Sequence, residues 1–142
     1  MKDKIFLDTN IIVYAFDRSA QESKSARCAE LLIESAENGC GVISTQVCQE
    51  FIFVVTRKIQ EPISESAAME IIMSIKGIDI FQVSLLTIRN AIELGNSYKF
   101  SFWDRLIISS ALASGCKILY SEDMVHGIRI ADLKVINPFR SL

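Results

Sequence analysis

Short apolar runs alternate with amphipathic stretches along the whole chain, and this alternation limits the fold more than any other feature. Apolar runs of strand length occupy residues 4–7, 41–44, 78–83, 117–120 and 135–136. Helical spacing of apolar residues fills the intervals, over residues 11–16, 23–38, 46–58, 64–76, 85–98 and 101–113. Strands separated by helices pair in parallel through right-handed crossovers. The pattern therefore predicts a doubly wound α/β sheet with helices on both faces.

The length and composition favour one domain over residues 1–142. A domain usually has ~100–200 residues, and half of this chain is hydrophobic, which suffices to fill a core. Charged or polar residues interrupt the apolar runs well before the ~18 residues that a membrane span needs. Residues 1–10 also lack the apolar stretch of a secretory signal. We therefore expect a cytoplasmic protein without a membrane segment.

Cysteine and histidine are too sparse to build a soft metal site. The four cysteines include no C-x-x-C pair, so we expect them to be reduced and mostly buried. His126 is the only histidine, which excludes His-rich zinc sites. Oxygen atoms must therefore hold any metal. Because the net charge is −2, contacts with a polyanion would have to come from local basic residues.

Four acidic residues occupy positions where a free charge would be costly. Glu50 and Asp104 lie in helices among apolar residues at helical spacing, whereas Asp8 and Asp123 each follow a predicted strand. Ligands of an open parallel sheet bind at the carboxyl ends of the strands, near the reversal of strand order. Acids that gather there repel one another unless a cation neutralises them. Oxygen ligands favour Mg²⁺ or Mn²⁺ as that cation.

Three of the four acids also have a capping interpretation. Asp8 could cap the helix that follows the first strand. Ser101 and Asp104 have the spacing of a capping box, in which the acid reaches back to a free backbone N–H. Asp123 could cap a short helix that begins at Met124. For Glu50, no residue at helical spacing is an obvious partner, so this residue indicates a function most directly.

Three other acids are further candidates for the site. Asp79 and Asp132 lie in apolar surroundings but alternate with their neighbours, so their side chains can point to solvent. Glu122 stands beside Asp123, and we expect it to be solvent-exposed.

Four segments match one protein family in order and spacing: Leu7-Asp8-Thr9-Asn10, Glu50 in its apolar helix, Phe102-Trp103-Asp104, and Tyr120-Ser121-Glu122-Asp123. In these segments the chain resembles PIN-domain proteins, of the toxin-like ribonuclease group that includes the VapC toxins. The resemblance extends over essentially the whole chain, to Asn137-Pro138-Phe139. It implies a three-layer sandwich with a five-stranded parallel sheet, and a Mg²⁺- or Mn²⁺-dependent site that cleaves RNA. It also implies a small antitoxin protein as partner and a homodimer.

The resemblance carries over to individual positions. It assigns the metal ligands and catalytic acids to Asp8, Glu50, Asp104 and Asp123. It assigns supporting polar roles, orienting ligands or water, to Thr9, Asn10 and Ser121.

RNA contacts are expected from a few exposed side chains. The candidate cations are Arg18, Lys99 and Arg105. Arg105 replaces a small residue often found at its position in the family, and it could contact a phosphate or pair with an acid. Trp103 could stack on a base, or it could pack against a helix or a second copy of the chain.

Other α/β classes fit less well. A haloacid-type phosphatase needs a second acid where this chain has Asn10. A phospho-receiver domain normally has an adjacent acid pair early in the chain, whereas only Asp8 ends the first strand. Dinucleotide binding requires glycines after that strand, and none is present. The main alternative to a nuclease is therefore a non-catalytic PIN-like scaffold or partner-binding protein.

Overall fold

The computed structural model describes residues 2–140. Its strands are β1 Ile5–Leu7, β2 Gly41–Ser44, β3 Ile78–Phe81, β4 Ile118–Tyr120, β5 Arg129–Ile130 and β6 Leu133–Ile136. Its helices are α1 Thr9–Phe16, α2 Glu22–Glu37, α3 Thr45–Arg57, α4 Glu65–Ser74, α5 Leu85–Leu94 and α6 Phe102–Ala113. The strands form one sheet in the order β3-β2-β1-β4-β6-β5. The predicted α/β fold is confirmed.

Five strands run parallel, as predicted, and a sixth runs antiparallel at one edge. β1 pairs with β2 and β4, β2 pairs with β3, and β4 pairs with β6, all in parallel. β5 pairs antiparallel with β6. Two residues are too few for an alternating pattern to be recognised in the sequence. In the described part of the chain the sheet therefore has six strands, where the prediction had five.

Helices form a layer on each face of this sheet. α1 packs against α2 and α3, α3 packs against α4, and α5 packs against α6. The crossovers from β1 to β2 and from β2 to β3 run toward one edge, whereas the crossover from β3 to β4 runs back past β1. Right-handed crossovers in opposite directions lie on opposite faces. Strand order therefore reverses between β1 and β4.

The core between these layers is apolar. Phe6, Leu119 and Val135 of the sheet and Phe51 of α3 are fully buried. The cysteines are free thiols, as expected, and three of them are buried. Within residues 2–140, no helix combines the length and the apolar character that a membrane span requires.

Each helix differs from its predicted bounds by one to four residues at one end or both, and the reason is clearest for α3 and α5. The cap of α3 is Ser44, whose hydroxyl accepts from the backbone N–H of Val47 at 3.3 Å, and Thr45 is the first helical residue instead of the cap. α5 ends at Leu94, although the prediction extended it to residue 98. Gly95 is its C-cap with a right-handed φ of −62°, and a Cβ at this position would meet the guanidinium of Arg105.

We predict that Gly77→Ala destabilises the protein more than Gly39→Ala. Both glycines have positive φ, 79° and 65°, so each new Cβ costs about 1 kcal/mol of backbone strain. At Gly77 the Cβ would also overlap the backbone carbonyl of Ala36, whereas nothing lies within 4 Å at Gly39. Overpacking of this kind adds about 1–3 kcal/mol. Urea denaturation of both variants measures the difference, and equal losses would contradict the close approach of the chain at Gly77.

Candidate active site

A cavity of about 750 Å³ opens at the carboxyl ends of the central strands. Its wall comprises Asp8, Thr9, Asn10, Gln46, Gln49, Glu50, Phe53, Val54, Trp103, Asp104, Ile107 and Asp123. The four acids that the sequence singled out therefore share one pocket. They come from four separate places in the chain: the end of β1, the middle of α3, the first turn of α6 and the segment after β4.

Asp8 both caps a helix and lines the pocket. Its side chain is 8% exposed, and Oδ1 accepts from the backbone N–H of Thr9 at 2.7 Å, which caps α1. The hydroxyl of Ser121, just after β4, donates to Oδ2 at 2.8 Å. The two interpretations of Asp8 are thus compatible, and its carboxylate joins the ends of two neighbouring strands.

Thr9 and Asn10 each hold another acid of the pocket. The Thr9 hydroxyl donates to Glu50 Oε1 at 2.7 Å, which supplies the partner that helical spacing did not reveal. The Asn10 amide donates to Asp123 Oδ2 at 2.6 Å. Together with Ser121 on Asp8, each of the three supporting residues contacts one acid. That contact pattern agrees with the orienting role expected of them, which itself stays a prediction.

Ser101 and not Asp104 caps α6. The Ser101 hydroxyl accepts from the backbone N–H of Asp104 at 3.2 Å, and the half-buried carboxylate of Asp104 lies at the pocket. Asp123 is exposed in an irregular segment, and no helix begins at Met124, so the capping interpretation of Asp123 is wrong. Asp8, Glu50 and Asp104 are therefore buried or half-buried in the pocket, whereas the exposed Asp123 lies at the rim of the pocket.

The pocket concentrates negative charge that its own wall does not neutralise. Burial raises the pKa of the Asp8 carboxyl from 3.8 to about 6; its two hydrogen bonds oppose this rise, and repulsion from Glu50 and Asp104 adds to it. Burial also raises the pKa of Asp104, and repulsion from Asp123 contributes. In the part of the chain that the structure describes, no lysine or arginine belongs to the wall. The acids therefore destabilise one another's charged forms.

The donor set suits a hard divalent cation in chemistry. All four candidate ligands are carboxylates, and Glu50 Oε2 and Asp123 Oδ1 keep their lone pairs free of the side-chain hydrogen bonds described above. A cation would also relieve the repulsion that raises their pKa values. In the described residues, however, no group of three or more His, Cys, Asp or Glu side chains is arranged so that it could hold a metal ion. Metal binding would require these carboxylates to draw together.

The profile of one protein family matches most of the chain. The profile of the PIN domain matches residues 5–127. The chain belongs to the PIN-domain family. The membership that the sequence segments predicted is thereby confirmed.

Several solved structures share the fold of this PIN domain. VapC20 of Mycobacterium tuberculosis, a Sarcin-Ricin loop cleaving toxin, has 19% identity and a TM-score of 0.68, over 84% of this chain and 90% of that one. A toxin-antitoxin complex from Klebsiella pneumoniae has 18% identity and a TM-score of 0.67, over 96% and 98%. VapBC2 of Rickettsia felis, bound to a DNA fragment from its promoter, has 23% identity and a TM-score of 0.66, over 92% and 96%. No curated protein matched the sequence significantly.

The three basic residues expected to contact RNA lie outside the wall of this pocket. Arg105 donates to the backbone carbonyls of Ala91 at 2.8 Å and Phe100 at 3.1 Å, so it ties the end of α5 to the start of α6. Arg18 and Lys99 are exposed. Their contact with RNA stays a prediction, whereas the guanidinium of Arg105 already has a structural role.

Glu122 is not solvent-exposed as expected. Its Oε1 accepts from the Lys24 ammonium at 2.7 Å, and its side chain is 23% exposed. The ammonium also lies 5.4 Å from the ring centroid of Tyr14 and 5.1 Å from that of Phe139. This ion pair joins α2 to the segment that carries Asp123. Asp79 and Asp132, by contrast, are exposed as predicted.

Sequence reasoning missed two residues of the pocket that lie on the same face of α3 as Glu50. Gln46 precedes Glu50 by four residues and Phe53 follows it by three. Arg57, seven residues after Glu50, places its guanidinium 4.9 Å from the Phe53 ring centroid. Helical spacing counted from Glu50 was the signal that could have found the pocket residues Gln46 and Phe53 and the adjacent Arg57.

We predict that Asp8→Asn stabilises this PIN domain at neutral pH when a chelator removes divalent cations. Because the folded-state pKa of Asp8 lies above its unfolded value, its ionisation disfavours folding, and the free energy of unfolding falls as the pH rises from about 4 to about 6. The shift of ~2 pKa units corresponds to about 3 kcal/mol at pH 7.5 and less than ~1 kcal/mol at pH 4. Urea denaturation at both pH values measures it. The exposed Asp79→Asn serves as control and should change stability little at either pH. A destabilised Asp8→Asn at pH 7.5 would contradict the charge repulsion.

Proposed function

We propose that this PIN domain is a Mg²⁺- or Mn²⁺-dependent endoribonuclease. The observation that carries the proposal is the convergence of Asp8, Glu50, Asp104 and Asp123 on one pocket, with a polar residue on three of them. A structural role alone does not explain such a group, because four neighbouring carboxylates destabilise the fold in the absence of a cation.

The proposed roles of the residues combine the family resemblance with the hydrogen bonds of the pocket. Asp8, Asp104 and Asp123 would hold the cation, directly or through water. Thr9 occupies Glu50 Oε1, so Oε2 is available either to the cation or to the proton of the attacking water. The cation, when bound, supplies a lowered pKa for a water molecule and offsets the charge on the scissile phosphate. The resemblance to PIN nucleases implies that the products carry a 3′-hydroxyl and a 5′-phosphate.

The RNA backbone needs cations near the pocket, because the protein as a whole is acidic. Arg57 and Lys58 lie beside Phe53, with Cζ and Nζ 4.9 and 5.8 Å from the ring centroid. The side chain of Arg57 is 54% exposed and only distantly paired, at 4.0 Å, with Glu65. These two residues at the end of α3 can contact phosphates next to the acids, in addition to the predicted Arg18 and Lys99.

The solved neighbours suggest the biological setting. Structures similar to this chain include a toxin and toxin-antitoxin complexes. We therefore infer that this PIN domain is the toxin of such a pair, forms a homodimer and acts in the cytoplasm, where an RNA substrate would be available. An antitoxin gene next to the gene for this chain, and a complex of the two products on gel filtration, would support the pairing.

A non-catalytic PIN scaffold is the second candidate. The observation that favours it is the lack, within residues 2–140, of a group of three ligands already placed for one ion. A scaffold would keep the fold and the polar bonds of the acids but would neither bind a cation at this pocket nor cleave RNA.

We predict that the protein cleaves RNA with Mg²⁺ or Mn²⁺ and that Asp104→Asn reduces the rate by more than about 100-fold. Loss of an outer partner of a metal ligand typically costs ~10–100-fold, and loss of a ligand should cost more. The assay incubates the protein with defined RNAs, including a sarcin-ricin loop stem, with and without chelator. Isothermal titration with Mn²⁺ follows binding separately.

Asp79→Asn is the matched control, because Asp79 is an exposed aspartate outside the pocket. It should cleave and bind Mn²⁺ like the wild type. Intact RNA under every metal condition, or equal cleavage by Asp104→Asn and wild type, would favour the scaffold instead.

We further predict that Thr9→Val lowers the cleavage rate by ~10–100-fold, whereas Thr9→Ser retains most of it. Valine has nearly the shape of threonine but cannot donate to Glu50 Oε1, so the acid loses its fixed orientation. Serine keeps the donor. The rates of the two variants on one RNA measure the effect, and thermal melting verifies that both are folded. Equal rates would show that the bond between Thr9 and Glu50 does not serve cleavage.

A further inference from the structure

The pocket has an acidic half and an apolar half. The apolar half is formed by Phe53, Val54, Trp103 and Ile107. The fold leaves two of these side chains uncovered, since Trp103 is 61% exposed and Phe53 is 48% exposed. Trp103 directly precedes Asp104 in the chain, so the aromatic surface adjoins the acids.

Gln46 places an unsatisfied hydrogen-bond acceptor at this pocket. The residue is 4% exposed, and its Nε2 donates to the backbone carbonyl of Trp103 at 3.1 Å. That bond fixes which end of the amide is which, because a carbonyl oxygen can only accept. Oε1 is then left buried without a hydrogen-bond partner among residues 2–140. Buried acceptors are nearly always paired in proteins, so this one calls for a donor.

We propose that the apolar half of the pocket is a nucleobase subsite, in which a base lies against Trp103 and donates an N–H to Gln46 Oε1. Phe53 closes the side of this subsite. The inference rests on the proposed function and deepens it, because a base held here would belong to a nucleotide next to the cleaved bond.

The chemistry of the subsite selects a base over other parts of RNA. Among the described residues its wall carries no lysine or arginine that could bind a phosphate inside it, and Arg57 and Lys58 lie beside it at the Phe53 ring. An aromatic face favours a flat π-system, and bases stack on such faces in proteins that bind single strands. A ribose offers hydroxyl donors but no face to stack.

Entry of the base requires a local rearrangement. Gln46 Oε1 has essentially no solvent contact, so a neighbouring side chain must give way before an N–H can reach it. The ring of Trp103 is largely exposed, so a base can reach its face. Binding should therefore change the environment of this ring.

Tryptophan fluorescence tests the subsite directly, because Trp103 is the only tryptophan of the chain. The protein is titrated with uncharged adenosine, guanosine, cytidine and uridine in the presence of chelator, and with ribose as control. We expect saturable quenching by at least one nucleoside and none by ribose. Phe53→Leu should weaken the binding about tenfold. Leu85→Ala, at an 84% exposed apolar residue outside the pocket, should leave the affinity unchanged.

The role of Gln46 is tested in two independent ways. Gln46→Met removes the acceptor at nearly constant side-chain length, and it should weaken binding and change the ranking of the four nucleosides. The second test uses the wild type alone, so it does not depend on a variant that folds. Dimethylation of the exocyclic amino group of a preferred amino-bearing nucleoside, or N-methylation of the imide N–H if uridine is preferred, should lower its affinity severalfold.

The outcomes separate this inference from the proposed function, because nucleoside binding requires neither a metal nor cleavage. Nucleoside binding without RNA cleavage would uphold the subsite and refute the ribonuclease. RNA cleavage without quenching by any nucleoside up to its solubility limit would refute the subsite. An unchanged ranking in a folded Gln46→Met variant, with methylated nucleosides bound as tightly as their parents, would refute the contact with Gln46.

Discussion

The buried carboxylate of Asp8 lies where the strand order reverses. The hydrogen bonds that stabilise this carboxylate also hold the pocket together. One oxygen takes the N–H that begins α1, and the other takes the Ser121 hydroxyl from the end of β4. These bonds join the two central strands at their carboxyl ends. The same turn presents Thr9 to Glu50 and Asn10 to Asp123. A displacement of Asp8 would therefore disturb the partners of two other acids.

The fold was predictable because its signals are local. Each parallel strand is a short apolar run between helical segments, and the right-handed crossover then fixes how such strands assemble. Two errors in the predicted secondary structure also have local causes. β5 has only two residues, and its pairing with β6 depends on a turn at Ala131, which has a φ of 53° that non-glycine residues seldom adopt. The cap of α3 at Ser44 instead of Thr45 was a choice between two adjacent residues that both favour caps.

The candidate site was predictable only as a group of acids. Strand ends share one edge of a parallel sheet, so acids at these positions could be expected to converge. The hydrogen bonds that polar residues donate to these acids could not be predicted, because partners such as Thr9 and Glu50 are 41 residues apart. For the same reason Glu122 was wrongly expected in solvent, since its partner Lys24 lies 98 residues away. Such pairs depend on tertiary packing, which local sequence patterns do not encode.

The missed Gln46 and Phe53 belong to a different class, since neither carries a charge that would draw attention in the sequence. Because they lie beside the acids, the pocket has an acidic part and an apolar part, and the two parts suit different chemical groups. The acidic half repels a phosphate until a divalent cation offsets the carboxylates. The proposed base subsite in the apolar half would need no cation, because stacking and a hydrogen bond can hold a neutral base. With Arg57 and Lys58 beside Phe53 in an otherwise acidic protein, phosphate binding in the proposed function would depend on the cation, whereas base binding would not. The two proposed contributions to RNA recognition would therefore be physically separable in this pocket.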